Sequence, residues 1–280
     1  MKFSLILTTI NRTDEIEKFI ESLLIQEYSN YELIIVDQND DDRLLNIVNY
    51  FKNKIELKYV KSLKGLSIGR NIGIKYASGE IIAFPDDDCW YDNNLLEKVY
   101  RFFYNNPKYD GLTGLPVDEF GRASIGRFDQ SSGDVNQRNV WARGISYTIF
   151  VKINVINKVG TFDEKLGVGA NTLWGSGEET DFLLNALKLG KKIYYEHKIT
   201  VHHPNPTKTY NANVIKKAFN YGAGMGRVLK KHNYSIHYVL YILLKPFIGT
   251  LLSLLMGKIG KSKYHFSVFK GRLIGWMSNG

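Results

Sequence analysis

The sequence predicts an α/β fold: a mostly parallel central sheet flanked by helices, followed by a helical C-terminal tail. Three observations carry this. Over roughly the first hundred residues, apolar runs of strand length alternate with stretches whose apolar residues recur at helical spacing, the mark of repeated strand–helix units. Polar residues collect at the carboxyl ends of those runs, where doubly wound sheets bind their ligands. From Lys198 onward the chain holds 13 Lys and Arg residues and no Asp or Glu, with one long apolar run among them.

Strands are expected at Phe3 to Thr8, Glu32 to Asp37, Ile55 to Val60 and Glu80 to Phe84. Between the first two, Ile16, Phe19, Ile20, Leu23 and Leu24 mark a buried helix face, with Asp14 as the expected N-cap and Glu17 three residues later. Leu44, Val48 and Phe51 repeat the pattern before the third strand, and Ile68, Ile72 and Tyr76 before the fourth. Gly111 to Arg143, rich in Gly, Ser and Asn, reads as a long loop over the site. Periodicity returns at Tyr147 to Val151. A helix is then expected over Thr180 to Leu189, stopped by Gly190, and strands at Ile193 to Tyr195 and Thr200 to His202.

With 280 residues, 44% of them hydrophobic, the chain can bury one large core or a catalytic domain plus an appendage, and disorder is excluded for most of it. The net charge of +9 suggests a polyanion partner, but its distribution qualifies that. Before Lys198 there are 24 bases against all 28 acids, a near-neutral to acidic front followed by a uniformly basic tail. That asymmetry suits a surface lying on anionic lipid. No zinc-finger spacing, RNA-binding aromatic signature or long Arg run accompanies it, so nucleic acid is not the expected partner. Cys89 is the single cysteine, which fits a reducing cytosol. The apolar start from Phe3 to Ile10 is too short and Thr-rich for a signal-peptide core and reads as the first strand.

The chemistry centres on the strand ends: Thr8, Thr9, Asn11 and Arg12 after the first, Asp37 after the second, and Asp86, Asp87 and Asp88 after the fourth. Three consecutive carboxylates repel one another unless a cation or proton compensates them. A divalent metal is the economical answer, with Asp86 and Asp88 facing the ligand, one toward a ribose and one toward Mg²⁺ or Mn²⁺ bridging a diphosphate. A triplet alone would read as an acidic turn capping the helix near Asn94; its place after the fourth strand favours the ligand. A second cluster, Trp174 through Asp181, delivers acids from a Gly-rich loop onto a helix N-terminus, where the helix dipole favours them. A transferase moving a sugar onto a hydroxyl needs a carboxylate to take the acceptor proton. Glu179 is the candidate and Glu178 the reserve. Asp181 is placed to hold the acceptor or Arg70, and the plain alternative makes all three a capping cluster. His202 is the candidate imidazole ligand of the pair His202–His203, and Arg70, on a glycine-punctuated helix start, is placed to reach a phosphate or the triplet.

Taken together, these residues resemble the family 2 glycosyltransferases over roughly residues 3 to 205. Leu7–Arg12 is similar to the family's opening strand and nucleotide loop, Ile35–Asp37 to its uracil-side strand, and Gly65–Gly73 to its pre-metal helix. Phe84–Asp88 is similar to its metal-binding aspartate motif, and Phe162–Glu164 and Gly177–Asp181 to its acceptor side and base motif. Many members carry Glu-Asp where this chain has Glu178-Glu179. The resemblance implies the nucleotide-diphospho-sugar transferase fold, Mn²⁺ or Mg²⁺, a UDP-sugar by default and inversion at the anomeric carbon. The stretch from Leu166 to Trp174 resembles bacterial surface-polysaccharide transferases, implying a glycan or lipid-linked acceptor. The alternative is a non-catalytic nucleotide-sugar-binding subunit of a membrane polysaccharide assembly.

Residues 1–210 are thus the expected catalytic domain and 211–280 a basic, membrane-associating tail. Tyr238 to Met256 is a 19-residue apolar run, long enough to span a bilayer, yet Lys245 and Pro246 sit near its middle. A central Lys costs about 2.5–3.5 kcal/mol to insert. Lys230 and Lys231 precede the run and Lys258, Lys261 and Lys263 follow it, so no charge asymmetry orients a span. An interfacial helix pair at the cytoplasmic face of the membrane accounts for both flanks; a soluble helix packed on the domain is the alternative.

Overall fold

A computed structural model describes residues 1–124, 128–205 and 209–278. The chain divides into two compact units: Met1–Lys64, Ile68–Phe162 and Phe182–Pro206 in the first, Gly65–Ser67, Asp163–Asp181 and Thr207–Gly280 in the second.

The first unit is built on β1 (Phe3–Thr9), α1 (Asp14–Leu24), β2 (Tyr31–Asp37), α2 (Leu45–Phe51), β3 (Leu57–Lys61), α3 (Leu66–Ile74), β4 (Ile81–Ala83), α4 (Leu95–Asn105), β5 (Gly111–Val117), β6 (Gly133–Asp134), α5 (Val140–Arg143), β7 (Ile149–Lys152), α6 (Ile153–Val159), α7 (Glu178–Lys188) and β8 (Ile193–His202). The first turns of α3 and α7 belong to the second unit. The eight-stranded sheet runs β3-β2-β1-β4-β7-β5-β8-β6, with β6 and β7 antiparallel to the rest. Every residue of β1 is buried, as befits a parallel strand covered on both faces. Phe3, Leu5 and Leu7 meet Phe19, Ile20 and Leu23 of α1 in one core cluster. From β1 the chain steps outward to β2 and β3, then returns to β4 on β1's other side. The carboxyl ends of β1 and β4 therefore flank the switch point, where open α/β sheets leave a crevice.

Three local expectations are corrected. Gly111–Val117 is a fully buried strand rather than a loop, paired in parallel with β8. Its glycines look like breakers in sequence, but a Cβ at Gly114 would stand 2.4 Å from the Ile199 carbonyl oxygen, so close strand packing demands them. Helix α3 buries not Ile68, Ile72 and Tyr76 but its small and polar face: Gly69, Arg70, Asn71 and Gly73 are buried while Tyr76 is exposed. Helix α1 starts at Asp14, with Thr13 at the N-cap and no side-chain capping bond.

The second unit contains α8 (Ala212–Lys231), α9 (Ile236–Leu255) and α10 (Ile259–Met277). Asn211 caps α8 by accepting from the Val214 amide, and Ser235 caps α9 by accepting from Tyr238. Helices α8 and α10 touch backbone to backbone: a Cβ on Gly226 would lie 2.1 Å from the Arg272 carbonyl oxygen, and one on Gly275 1.9 Å from that of Ala223. Helix α9 buries a narrow stripe, Val239, Ile242, Leu243, Pro246 and Ser253, and exposes Leu240, Leu244, Ile248, Leu251 and Leu255. Among the described residues it is the one helix long and apolar enough to cross a membrane by length and composition.

Candidate functional site

In the first unit, the ends of β1, β2 and β4 assemble the polar residues that the sequence singles out. Asp37, fully buried, accepts from the Asn39 amide at 2.8 Å, the Tyr59 hydroxyl at 2.6 Å and the Lys61 ammonium at 2.9 Å. Burial opposes its charge, but these donors outweigh burial and hold the carboxyl below its usual range, while burial and the carboxylate push Tyr59 up to about 12. Asn11 takes a left-handed turn at φ 60 and donates its amide to Asn39 Oδ1, tying the β1 loop to the β2 loop. Thr9 donates to Asp87 Oδ2 at 2.8 Å. The Thr8 hydroxyl is buried without a hydrogen-bond partner among the described residues, beside Gly69, where a Cβ would strike its methyl at 2.3 Å.

The aspartate triplet is compensated by protein cations. Arg12 spans Asp87 at 3.2 Å and Asp88 at 2.8 Å, and the buried Arg70 donates to Asp86 Oδ1 at 3.2 Å, where Ser146 donates as well. His203 Nε2 lies 2.9 Å from Asp88 Oδ1, its ring stacked on Tyr147 at 4.8 Å. Burial raises Asp87 to about 6 despite Arg12. Asp88 lies below its usual value: burial works against the charge, but His203 and Arg12 prevail. His203 is shifted upward by Asp88 and Asp86, against its own burial. Charge balance therefore does not by itself call for a metal, as the sequence alone had suggested.

His202 faces elsewhere. Its Nε2 meets Asp92 at 2.9 Å, its Nδ1 the Asp118 carbonyl at 3.0 Å, and its ring stacks on Trp90. Strand alternation sends Val201 into the core and His202 to the opposite face; His203, past the strand end, turns to the triplet. No group of three or more His, Cys, Asp and Glu residues able to hold a metal occurs among the described residues. The donor set that the structure does bring together is a carboxylate and an imidazole, Asp88 and His203, directed at one another. Such a pair fits a cation that completes its shell with water and substrate phosphates.

The second unit carries the other cluster. Gly175 donates its amide to the Asn220 carbonyl at 3.0 Å and Ser176 its hydroxyl to that of Tyr221, laying the Gly-rich loop along α8. Gly177, at φ 94, turns the chain into α7, where Glu178 is buried and Glu179 half-buried. Asp181 is 2% exposed and clamped: Lys231 donates to it at 2.9 Å and His232 meets it at 2.7 Å, while Lys231 also bridges Asp163 at 2.7 Å. These partners at the end of α8 lie some fifty positions downstream, and no sequence spacing points to them.

Residues 4–154, more than half of the chain, match the model of Glycosyl transferase family 2. The chain is 28% identical over 209 residues to the poly(ribitol-phosphate) beta-N-acetylglucosaminyltransferase TarP of Staphylococcus aureus, covering 71% of this chain and 63% of that protein. It is 34% identical over 105 residues to the UDP-Glc:alpha-D-GlcNAc-diphosphoundecaprenol beta-1,3-glucosyltransferase WfgD of Escherichia coli, covering 37% and 42%. It thus spans less than two thirds of either relative. Among solved structures, the mannosyltransferase PcManGT of Pyrobaculum calidifontis in complex with GDP-Man and Mn²⁺ superposes with a TM-score of 0.68 at 13% identity, over 99% of this chain and 87% of that one, a likeness of fold.

Proposed function

The chain belongs to glycosyl transferase family 2, and on that premise we propose that it moves a sugar, with inversion, from a nucleoside-diphosphate donor to a hydroxyl of a glycan or lipid-linked acceptor in surface-polysaccharide synthesis. The observation that carries the reading is the triplet Asp86–Asp88 at the switch point between β1 and β4, held by Arg12, Arg70 and His203. The names of the relatives support the substrates: WfgD takes UDP-Glc and a diphosphoundecaprenol-linked sugar, TarP a poly(ribitol phosphate).

Thr8, Thr9, Asn11, Arg12 and Asp37 bind the nucleotide, with Asp37 oriented by Asn39, Tyr59 and Lys61 for the base. Asp86, steadied by Arg70 and Ser146, and Asp87 face the donor. Asp88 and His203 would hold Mn²⁺ or Mg²⁺, and in that role His203 replaces the sequence's candidate His202, which is engaged by Asp92 and Trp90. Such a cation would supply charge compensation for the leaving diphosphate. Glu179 accepts the acceptor's hydroxyl proton as that oxygen bonds to the anomeric carbon and the carbon–phosphate oxygen bond breaks, releasing the nucleoside diphosphate. Glu178 is the reserve base, and Asp181, clamped by Lys231 and His232, positions the helix start.

Residues 1–210 carry this chemistry and 211–280 seat the chain on the cytoplasmic face of the membrane. Helix α9 is inverted relative to a water-facing helix: its exposed side is mostly apolar, Leu, Ile, Phe247 and Tyr241 with His237 and Lys245 among them, and its buried stripe the narrower. The tail's 11 bases, with no acids, suit anionic headgroups at about 1 kcal/mol each near the surface.

The test is turnover of sugar nucleotides by the purified chain with Mn²⁺. Asp88→Asn and Glu179→Gln are each expected to lower kcat by roughly 10²–10⁴. Donor binding without turnover, indifferent to Glu179→Gln, would instead establish the non-catalytic subunit.

A further inference from the structure

We propose that the groove between the Gly167–Gly175 loop and the first turns of α8 seats a phosphate oxyanion of the acceptor. The proposal rests on the transferase reading for the word acceptor, but the binding it describes is measurable without turnover. The groove encloses about 430 Å³, within the range of small-molecule sites, about 300–1,000 Å³.

Its two walls differ in chemistry. On one side α8 presents Asn213, Lys216, Lys217 and Asn220, spaced by three and four residues so that they share a helix face. On the other, Gly167, Gly169 and Gly175 bare the backbone, so that a ligand can approach the main chain closely. Gly167 and Gly169 both have positive φ, at 99° and 78°, which strains any other residue there.

Charge identifies the ligand class. Among the described residues neither Lys216 nor Lys217 has a carboxylate within ion-pair distance, and the chain beyond Lys198 contains no acid at all. Asp163 and Asp181 of the same unit are occupied by Lys231. Two ammonium groups beside amide side chains make a site for an oxyanion, which lysine binds as a point charge.

Position says which substrate brings it. The loop wall abuts the acidic cluster: a Cβ on Gly167 would lie 3.0 Å from Glu178 Oε2. A pair of glutamates repels an anionic acceptor unless cations offset them, and Lys216 and Lys217 supply that offset in the same unit. The shared chemistry is a phosphate next to the accepting residue, either an in-chain phosphodiester or the diphosphate that joins a glycan to lipid.

The experiment is calorimetric titration of the full chain, in EDTA, with inorganic pyrophosphate and with a phosphodiester-linked glycerol phosphate oligomer. Lys216→Gln/Lys217→Gln is expected to weaken the tighter of the two probes roughly tenfold. The charge-matched control Lys258→Gln/Lys261→Gln is expected to change it less than about twofold. Tighter binding of the oligomer assigns the phosphodiester, and tighter binding of pyrophosphate the diphosphate. Equal binding by wild type and the Lys216/Lys217 variant, or an equal loss in the control, overturns the proposal. In turnover assays the same variant should raise KM for a phosphate-bearing acceptor and leave the donor KM unchanged. If no donor is turned over at all, the transferase reading fails while the titration still decides the groove.

Discussion

Glu32 shows what a single buried charge requires. It is fully buried in β2, and burial alone would raise its pKa, yet the Lys58 ammonium at 2.6 Å, Ser4 and the Ser78 amide at 2.6 Å hold it at about 2. The folded value lies below the unfolded one of about 4.5, so the native state binds fewer protons. Its stabilisation is therefore present above about pH 4.5 and is lost as pH falls toward 2. Glu32→Gln is expected to destabilise the fold by on the order of 3 kcal/mol at pH 7, a gap that narrows in urea titrations at pH 3. A gap independent of pH would show that the charge is not its source. The sequence offered no signal for Glu32, whose partners come from three separate segments. Asp86–Asp88, by contrast, stood out because a run of acids after an apolar strand has few structural uses. Arg12, close to the β1 end, was equally apparent, whereas His203's contact with Asp88 depended on which way the chain turned after β8.

At the scale of elements, α3 makes the same point about packing. Its helical period was visible, but the face it buries was not, because glycine carries no hydrophobic signal. A Cβ on Gly73 would lie 2.3 Å from Ile6 Cγ2 and 3.1 Å from Val36 Cγ2, so the helix rests directly on β1 and β2. Gly73→Ala is expected to cost about 1–3 kcal/mol through overpacking, seen as a lower denaturation midpoint at unchanged m-value. A neutral result would mean that α3 can shift outward freely. Helix α9 makes the converse case: its apolar run was plain, and only the packing of Val239, Ile242, Leu243 and Pro246 shows which side remains bare. Leu244→Asp/Leu251→Asp, both on that side, should abolish co-flotation with vesicles containing anionic lipid without lowering the denaturation midpoint. Retained flotation would remove the membrane role from α9.

For the whole molecule, ligand linkage provides the broadest check. A ligand that binds only the native state stabilises it by about 2.7 kcal/mol at a hundred times its Kd, worth several degrees of melting temperature in a chain of this size. A sugar nucleotide with Mn²⁺ is expected to raise the transition, and EDTA to remove most of the increment; no shift with any donor would count against the nucleotide site. The alternation of strand and helix, the acidic strand ends and the charge split between front and tail were all written in the order of residues, because they depend on local period and composition. The sequence by itself therefore determined the fold class, the family and the residues to suspect. Tertiary structure decided which cations answer which carboxylates, that Gly111–Val117 is a buried strand, and which helix faces stay exposed. Those outcomes depend on contacts between segments tens of residues apart, and such contacts leave no periodic trace in the chain.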